Sequence, residues 1–258
     1  MESEYEKYTP KEMMAITAAR AIEDGDIVFC GTGISMLAAM AAKKINAPRS
    51  VIFFETGAID ATLAELPLAV ADPRVMYGAS ANGGLTDAFS TMQNPITGKD
   101  VVGIIGAAQI DRFGNTNATV IGDYDRPITR FPGSGGACDV GSFVPRSIIF
   151  MQHEKRKFVE KLDYLTTPGH LTGPGARIAA GLPAGGPEMV ITDKAVMRFD
   201  PRTKQMYLAG YYPGVTPDTI LSHMGFLVDI SRARAVPAPT PEEIRILREQ
   251  CDPQRLIL

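Results

Sequence analysis

Glu55 closes the apolar run Val51-Ile52-Phe53-Phe54 and is followed by Thr56-Gly57. A glutamate in that place is either a solvated strand terminus or a carboxylate presented for chemistry. As a nucleophile it needs no general base, because a carboxyl with an ordinary pKa of about 4.3 is already ionised at neutral pH. Other catalytic machinery finds little support in the chain. Its three histidines, His153, His170 and His223, lie in a charged run, a Pro-Gly loop and a helix end, with no serine or cysteine nucleophile pattern beside them. No GxSxG, HExxH, EF-hand or P-loop lysine motif occurs. Cys30, Cys138 and Cys251 are widely spaced and form no CxxC pair, which argues against a zinc site or a disulfide framework.

Two glycine-rich segments can receive an anion. Gly31-Thr32-Gly33 sits between a predicted strand and a predicted helix, but Met36 stands where a dinucleotide fingerprint needs its third glycine. The better reading is a turn whose amides approach a phosphate or a neighbouring backbone. Gly133-Ser134-Gly135-Gly136-Ala137 has three glycines in four positions, enough to converge amides on an oxyanion, with a surface turn as the plainer reading. One donor in such a hole is typically worth about 2.7–4 kcal/mol. Gln109 and Asn117 flank the Gly114-Asn115 turn and carry amides able to hydrogen-bond a substrate.

Positioning these groups falls to a regular pattern of elements. Thr9-Pro10-Lys11-Glu12 predicts a capped helix start, and Thr240-Pro241-Glu242-Glu243 repeats the device. The apolar runs 27–30 and 51–54 predict buried strands. Further strands are expected at 75–77, 101–105, 119–121, 147–150, 159–165, 189–192, 196–199 and 205–209. Helices are expected at 34–44, in part of 60–70, and at 85–92, 217–223 and 241–250. Strand-helix alternation in the first half and strand-turn-strand character in the second imply an α/β fold, an open, mostly parallel sheet with an antiparallel extension. In such sheets ligands gather beyond the carboxyl ends of the strands, where Glu55 sits.

The 258 residues suffice for a substantial core, with 45% hydrophobic and 21% charged residues. A formal charge of −3 lacks the electrostatic footprint of a nucleic-acid binder. No run approaches the roughly 18 apolar residues of a membrane span. Met1-Glu2-Ser3-Glu4-Tyr5-Glu6 is acidic where a targeting peptide is basic, so cytoplasmic residence is expected.

Taken together, these segments resemble the family I CoA-transferases, specifically the beta subunits of the glutaconate type. Phe54-Glu55-Thr56-Gly57 is similar to the family's Glu-Ser-Gly or Glu-Asn-Gly nucleophile motif, with Thr56 as a departure. Gly106-Ala107-Ala108-Gln109-Ile110-Asp111 is similar to its Gly-Gly-Ala-Gln-Ile-Asp segment, with Ala107 replacing a glycine. Gly31-Thr32-Gly33, Gly133-Ser134-Gly135-Gly136-Ala137, Gln152-His153-Glu154-Lys155-Arg156 and the Tyr211-Tyr212-Pro213 region follow the same pattern. The likeness runs from the first helix to Asp252-Pro253.

The resemblance implies the family's open sheet with helices on both faces, as one domain over 1–258. It implies a ping-pong transfer in which Glu55 becomes a glutamyl-CoA thioester. It makes the Gly136 amide, with Gly135 beside it, the oxyanion hole, and assigns Gly31, Gly33, Gln109, Asn117 and Ser134 to substrate or CoA contact. Coenzyme A enters as a thioester substrate; no cofactor and no metal are expected. A separate alpha subunit is implied, in an (αβ)₂ or larger assembly, with a dicarboxylic acid such as glutaconate as the leading acyl group. Two rival activities share the scaffold: an acyl-CoA hydrolase, including ring-opening ones, and a decarboxylase with cysteine at the nucleophile position, against which Glu55 weighs. From another class, a non-catalytic ligand-binding protein would use Glu55 as a ligand contact or a strand end.

Overall fold

The computed structural model describes residues 5–63 and 66–258. The chain divides into two compact units, one running to Ile104 and including Ala238–Leu258, the other Ile105–Pro237.

The first unit holds α1 (Pro10–Ala19), β1 (Ile27–Cys30), α2 (Ile34–Ile45), β2 (Val51–Phe53), β3 (Ala58–Ile59), β4 (Ala81–Asn82) and α3 (Leu85–Gln93). It also holds all of β5 (Val101–Gly106) but the last two residues. Its strands lie in the order β5-β1-β2-β3-β4, with β1 parallel to both β5 and β2, and β3 and β4 turning back antiparallel. Val28, Phe29 and Cys30 are buried on β1, as the continuous apolar run requires of a covered parallel strand. In α2, Ala38, Ala39, Ala41 and Ala42 are all buried, small side chains that let the helix backbone lie close to its neighbours.

The second unit holds β6 (Gln109–Ile110), β7 (Thr116–Asn117), β8 (Val120–Gly122), β9 (Pro127–Arg130), α4 (Ala137–Phe143) and β10 (Arg146–Phe150). It continues with α5 (Ala176–Ala179), β11 (Pro187–Ile191), β12 (Ala195–Phe199), β13 (Met206–Tyr211), α6 (Pro217–Ser222) and β14 (Arg234–Ala235). Its larger sheet runs β10-β11-β12-β13-β14, with β10 parallel to β11 and a β11-β12-β13 antiparallel meander. Two small hairpins, β6-β7 and β8-β9, lie apart from that sheet. The α/β class read from the sequence is what the structure shows, parallel strands continued by antiparallel ones.

The last helix, α7 (Pro241–Ile246), belongs to the first unit and is locked to α1 reciprocally. Both helices begin with a complete capping box, Thr9 with Glu12 and Thr240 with Glu243. Glu12, 1% exposed, accepts from Arg248 at 2.6 and 3.0 Å, while Glu243 accepts from Arg20 at 2.8 and 2.6 Å. Burial by itself would raise both carboxyl pKa values. The arginine bonds and the capped amides hold them below the ordinary value instead.

Two expected strands are absent. Residues 75–77 fall mainly in a 3₁₀ turn over Pro73–Met76, because Asp72 caps it by accepting from the Arg74 amide and Pro73 takes the first position. Residues 159–165 form no strand; there the Asp163 amide bonds the Gln109 side chain in place of a strand partner. The helix expected within 60–70 falls partly on 64–65, outside the described residues, and the described positions of that span form none. No helix among the described residues is long and apolar enough to cross a membrane.

Candidate active site

Glu55 stands in a three-residue hairpin loop, Glu55-Thr56-Gly57, that joins β2 to β3. The Phe54 amide donates to the Ala58 carbonyl at 3.0 Å and the Gly57 amide to the Phe54 carbonyl at 2.9 Å. Such loops end in a left-handed residue, and Gly57 has φ +93°. The position is doubly restricted, since a Cβ on Gly57 would come within 2.3 Å of the Gly83 carbonyl oxygen. Gly83 in turn donates its amide to the Gly57 carbonyl at 2.8 Å. Phe54 is fully buried beneath the loop. The backbone under Glu55 is therefore held from both sides, while the half-buried carboxylate makes no hydrogen bond or ion pair among the described residues. Beside it, the Thr56 hydroxyl is buried and has no hydrogen-bond partner.

Gly31-Thr32-Gly33 shares this end of the sheet. Phe29 pairs with Phe53 in the parallel register, so Gly31 and Glu55 both lie two residues beyond paired positions on neighbouring strands. Gly33, with φ +83°, is the residue before α2, and its carbonyl accepts from the Leu37 amide at 3.1 Å. Nothing lies within 4 Å of where a Cβ would stand on either glycine, so a ligand can approach the backbone closely.

In the second unit Gly133 and Gly135 have φ of +95° and +47°, and Gly136 is the N-cap of α4. Ser134 organises this turn: its carbonyl accepts from the Ala137 amide and its hydroxyl oxygen from the Cys138 amide, both at 2.9 Å. Those bonds leave the Gly135 and Gly136 amides without an acceptor among the described residues. Two adjacent free amides at a glycine turn are an anion-binding arrangement.

Gln109 and Asn117 are brought together, on one another. They are opposite residues of β6 and β7, 5% and 0% exposed. Asn117 Nδ2 donates to Gln109 Oε1 at 2.8 Å and to the Val120 carbonyl at 2.6 Å. Asn117 Oδ1 accepts from the Thr119 and Val120 amides, and Gln109 Nε2 donates to Asp163 at 3.0 Å. Their polar atoms thus brace the backbone around residues 117–122.

Two of the three histidines are buried in structural roles. His153 is fully buried between Thr192 Oγ1 and the Ile220 carbonyl, each 3.2 Å from a ring nitrogen, and burial pushes its pKa down to about 4. His170 is likewise pushed down to about 4, by burial first and by the nearby Lys204 charge second. Burial pushes the Cys30 thiol up to about 12, which leaves it no thiolate for nucleophilic use. The partner that the sequence reading passed over is Gly83, which fixes the nucleophile's turn; the Gly83-Gly84 pair is the signal that marks it.

Known proteins share this arrangement of elements. The coenzyme A transferase family model matches residues 11–223. The chain is similar to the B subunit of glutaconate CoA-transferase from Acidaminococcus fermentans, 43% identical over 254 residues that cover 97% of this chain and 95% of that one. It is similar to the B subunit of 3-oxoadipate CoA-transferase from Pseudomonas knackmussii, 34% identical over 242 residues, 93% of this chain and 92% of the other. The crystal structure of glutaconate coenzyme A-transferase from A. fermentans aligns with a TM-score of 0.94 at 42% identity, over 97% of both chains. Matched over most of its length by the family model and almost end to end by these relatives, the chain belongs to the coenzyme A transferase family.

Proposed function

We propose that this chain is the catalytic subunit of an enzyme that moves coenzyme A between an acyl-CoA and a carboxylic acid, with Glu55 as the covalent relay. The observation that carries this reading is the unpaired Glu55 carboxylate on a backbone-locked turn beyond the carboxyl end of a parallel strand. A Glu55 oxygen attacks the thioester carbonyl; the C–S bond breaks and CoA leaves as the thiolate, giving an acyl-glutamyl anhydride. The thiolate then attacks the Glu55 carbonyl carbon and expels the first acid, leaving a glutamyl-CoA thioester. An incoming carboxylate attacks that thioester and releases the thiolate again. The thiolate takes the new acyl group, and Glu55 is restored. Every step exchanges one acyl bond for another, so no water and no net proton are consumed.

The charge that develops on the attacked carbonyl oxygen is assigned to the Gly136 amide, with Gly135 beside it and Ser134 holding the turn in shape. Gly31 and Gly33 are assigned to close approach of coenzyme A. Gln109 and Asn117 serve by bracing their loop. Coenzyme A is substrate here, so the scheme uses no further cofactor or metal. Both relatives are B subunits, which supports a separate partner subunit for this chain. An (αβ)₂ or larger assembly belongs to the same proposal. That partner would complete the acyl pocket and keep water from the anhydride. Glutaconate is the first acid to test, because the relative at 43% identity belongs to a glutaconate CoA-transferase. Cytoplasmic residence belongs to the same proposal.

The test is mass spectrometry of the purified complex after exposure to acyl-CoA without acceptor. A CoA-sized adduct on the peptide containing Glu55 is expected, with no steady release of free thiol. Turnover without any adduct on that peptide would refute the relay. Continuous thiol release without acceptor would instead identify a hydrolase.

A further inference from the structure

A cavity of about 460 Å³ opens within the second unit, where β10 and β11 begin and the loop after β12 turns back. It lies at the amino ends of this parallel pair, whereas the transfer chemistry is assigned to carboxyl strand ends. Its charged lining is Arg146, Glu188, Arg198 and Lys204. Glu188 is already shared: Arg146 Nε reaches one oxygen at 2.8 Å and Arg198 Nη1 the other at 2.9 Å. Three cations and one carboxylate line the cavity, so its lining carries more positive than negative groups.

Lys204 makes the excess notable. Its backbone sits at φ +59°, a left-handed position that glycine or asparagine occupies with far less strain. The loop holds it there through the Lys204 amide, which donates to the Asp200 carbonyl at 2.8 Å. Its half-buried ammonium has no hydrogen bond or ion pair among the described residues. A strained backbone that presents an unpaired cation to a cavity is a feature expected of a binding site rather than of a loop shaped by its own stability. Phe199 and Tyr207 add aromatic wall to the same cavity, and the buried His170 on its border stays neutral above pH of about 4.

We propose that this cavity binds a small organic dianion, its charge met by Lys204 and Arg198 and its carbon skeleton by Phe199 and Tyr207. Phosphate monoesters and dicarboxylates share the required chemistry. The proposal stands independently of the role given to Glu55.

Calorimetric titration of the full chain at low salt with inorganic phosphate, AMP and glutarate tests it. Saturable binding is expected for AMP or for glutarate, and which of them binds identifies the class. The variant Lys204→Gly relieves the left-handed strain, so it keeps or raises the melting temperature while weakening that binding by roughly tenfold. Arg198→Gln is expected to weaken it similarly. Absence of saturable binding by all three probes would overturn the proposal. So would binding that both variants leave unchanged, which would place the anion elsewhere.

Discussion

In the first unit, the turn at residues 54–57 fixes its backbone through three main-chain hydrogen bonds and leaves the Glu55 carboxylate unpaired. In the second unit, Gln109 and Asn117 do the reverse, directing both polar atoms of each amide inward onto one another, the Asp163 carboxylate and the backbone. Both sets of side chains are polar, and both lie beside glycine turns. What separates them is how far the hydrogen-bonding capacity is already filled: Asn117 uses both amide hydrogens and accepts two bonds, and Gln109 uses all but one hydrogen. A group whose partners are complete stabilises the fold and has nothing left for a substrate; a group whose scaffold is rigid but whose own atoms are unpaired can react.

The sharpest way to break this comparison is at the nucleophile. Glu55→Ala is expected to lower transfer by at least about 10³-fold while changing stability by no more than about 0.5 kcal/mol. Steady-state kinetics beside denaturant unfolding of the complex would show it, and a large loss of stability would mean the carboxylate is structural. Asn117→Ala should give the opposite profile. It strips partners from the Gln109 side chain, the Thr119 and Val120 amides and the Val120 carbonyl, so it should cost about 2–4 kcal/mol of stability. A raised KM with an unchanged unfolding midpoint would show instead that Asn117 meets substrate.

Acid separates the two behaviours next. His153 and His170 are held near 4 in the folded chain against an ordinary 6.5. Between those values the unfolded chain binds more protons, so stability is full above pH of about 6.5 and falls as pH drops toward about 4. The loss for each histidine is on the order of a few kcal/mol. Urea midpoints measured across that range should decline, and Glu55→Ala should decline in parallel. The smallest effect is expected at Thr56→Val. Removing a buried hydroxyl that has no partner should leave stability unchanged or raise it by up to about 1 kcal/mol. If turnover falls while stability holds, that hydroxyl has a use during catalysis.

Local signals in the sequence carried well into the structure. Thr9-Pro10-Lys11-Glu12 and Thr240-Pro241-Glu242-Glu243 each start a capped helix, and the run ending at Phe54 forms β2 and its exit. Glu55 was legible as the end of that strand because apolarity stops there abruptly. Its hairpin was not, because β3 is two residues long and is fixed by Gly83, far along the chain. The same distance hid the brace at Gln109, which bonds a residue 54 positions away. Residues 159–165 alternate like a strand, yet the Asp163 amide among them is met by the Gln109 side chain, which periodicity cannot reveal. The cavity beside Lys204 was illegible for a related reason, since a lysine at positive φ leaves no mark on composition or spacing.

The crossed pairs Glu12–Arg248 and Glu243–Arg20 bear on the order in which the chain becomes a protein. During synthesis, residues 105–237, the second unit, emerge as one continuous stretch. The nucleophile's unit has to wait, because one side of its helical layer emerges only after that whole stretch has been made. Glu55 is translated well before the second unit, yet the unit around it is complete only once α7 has been made.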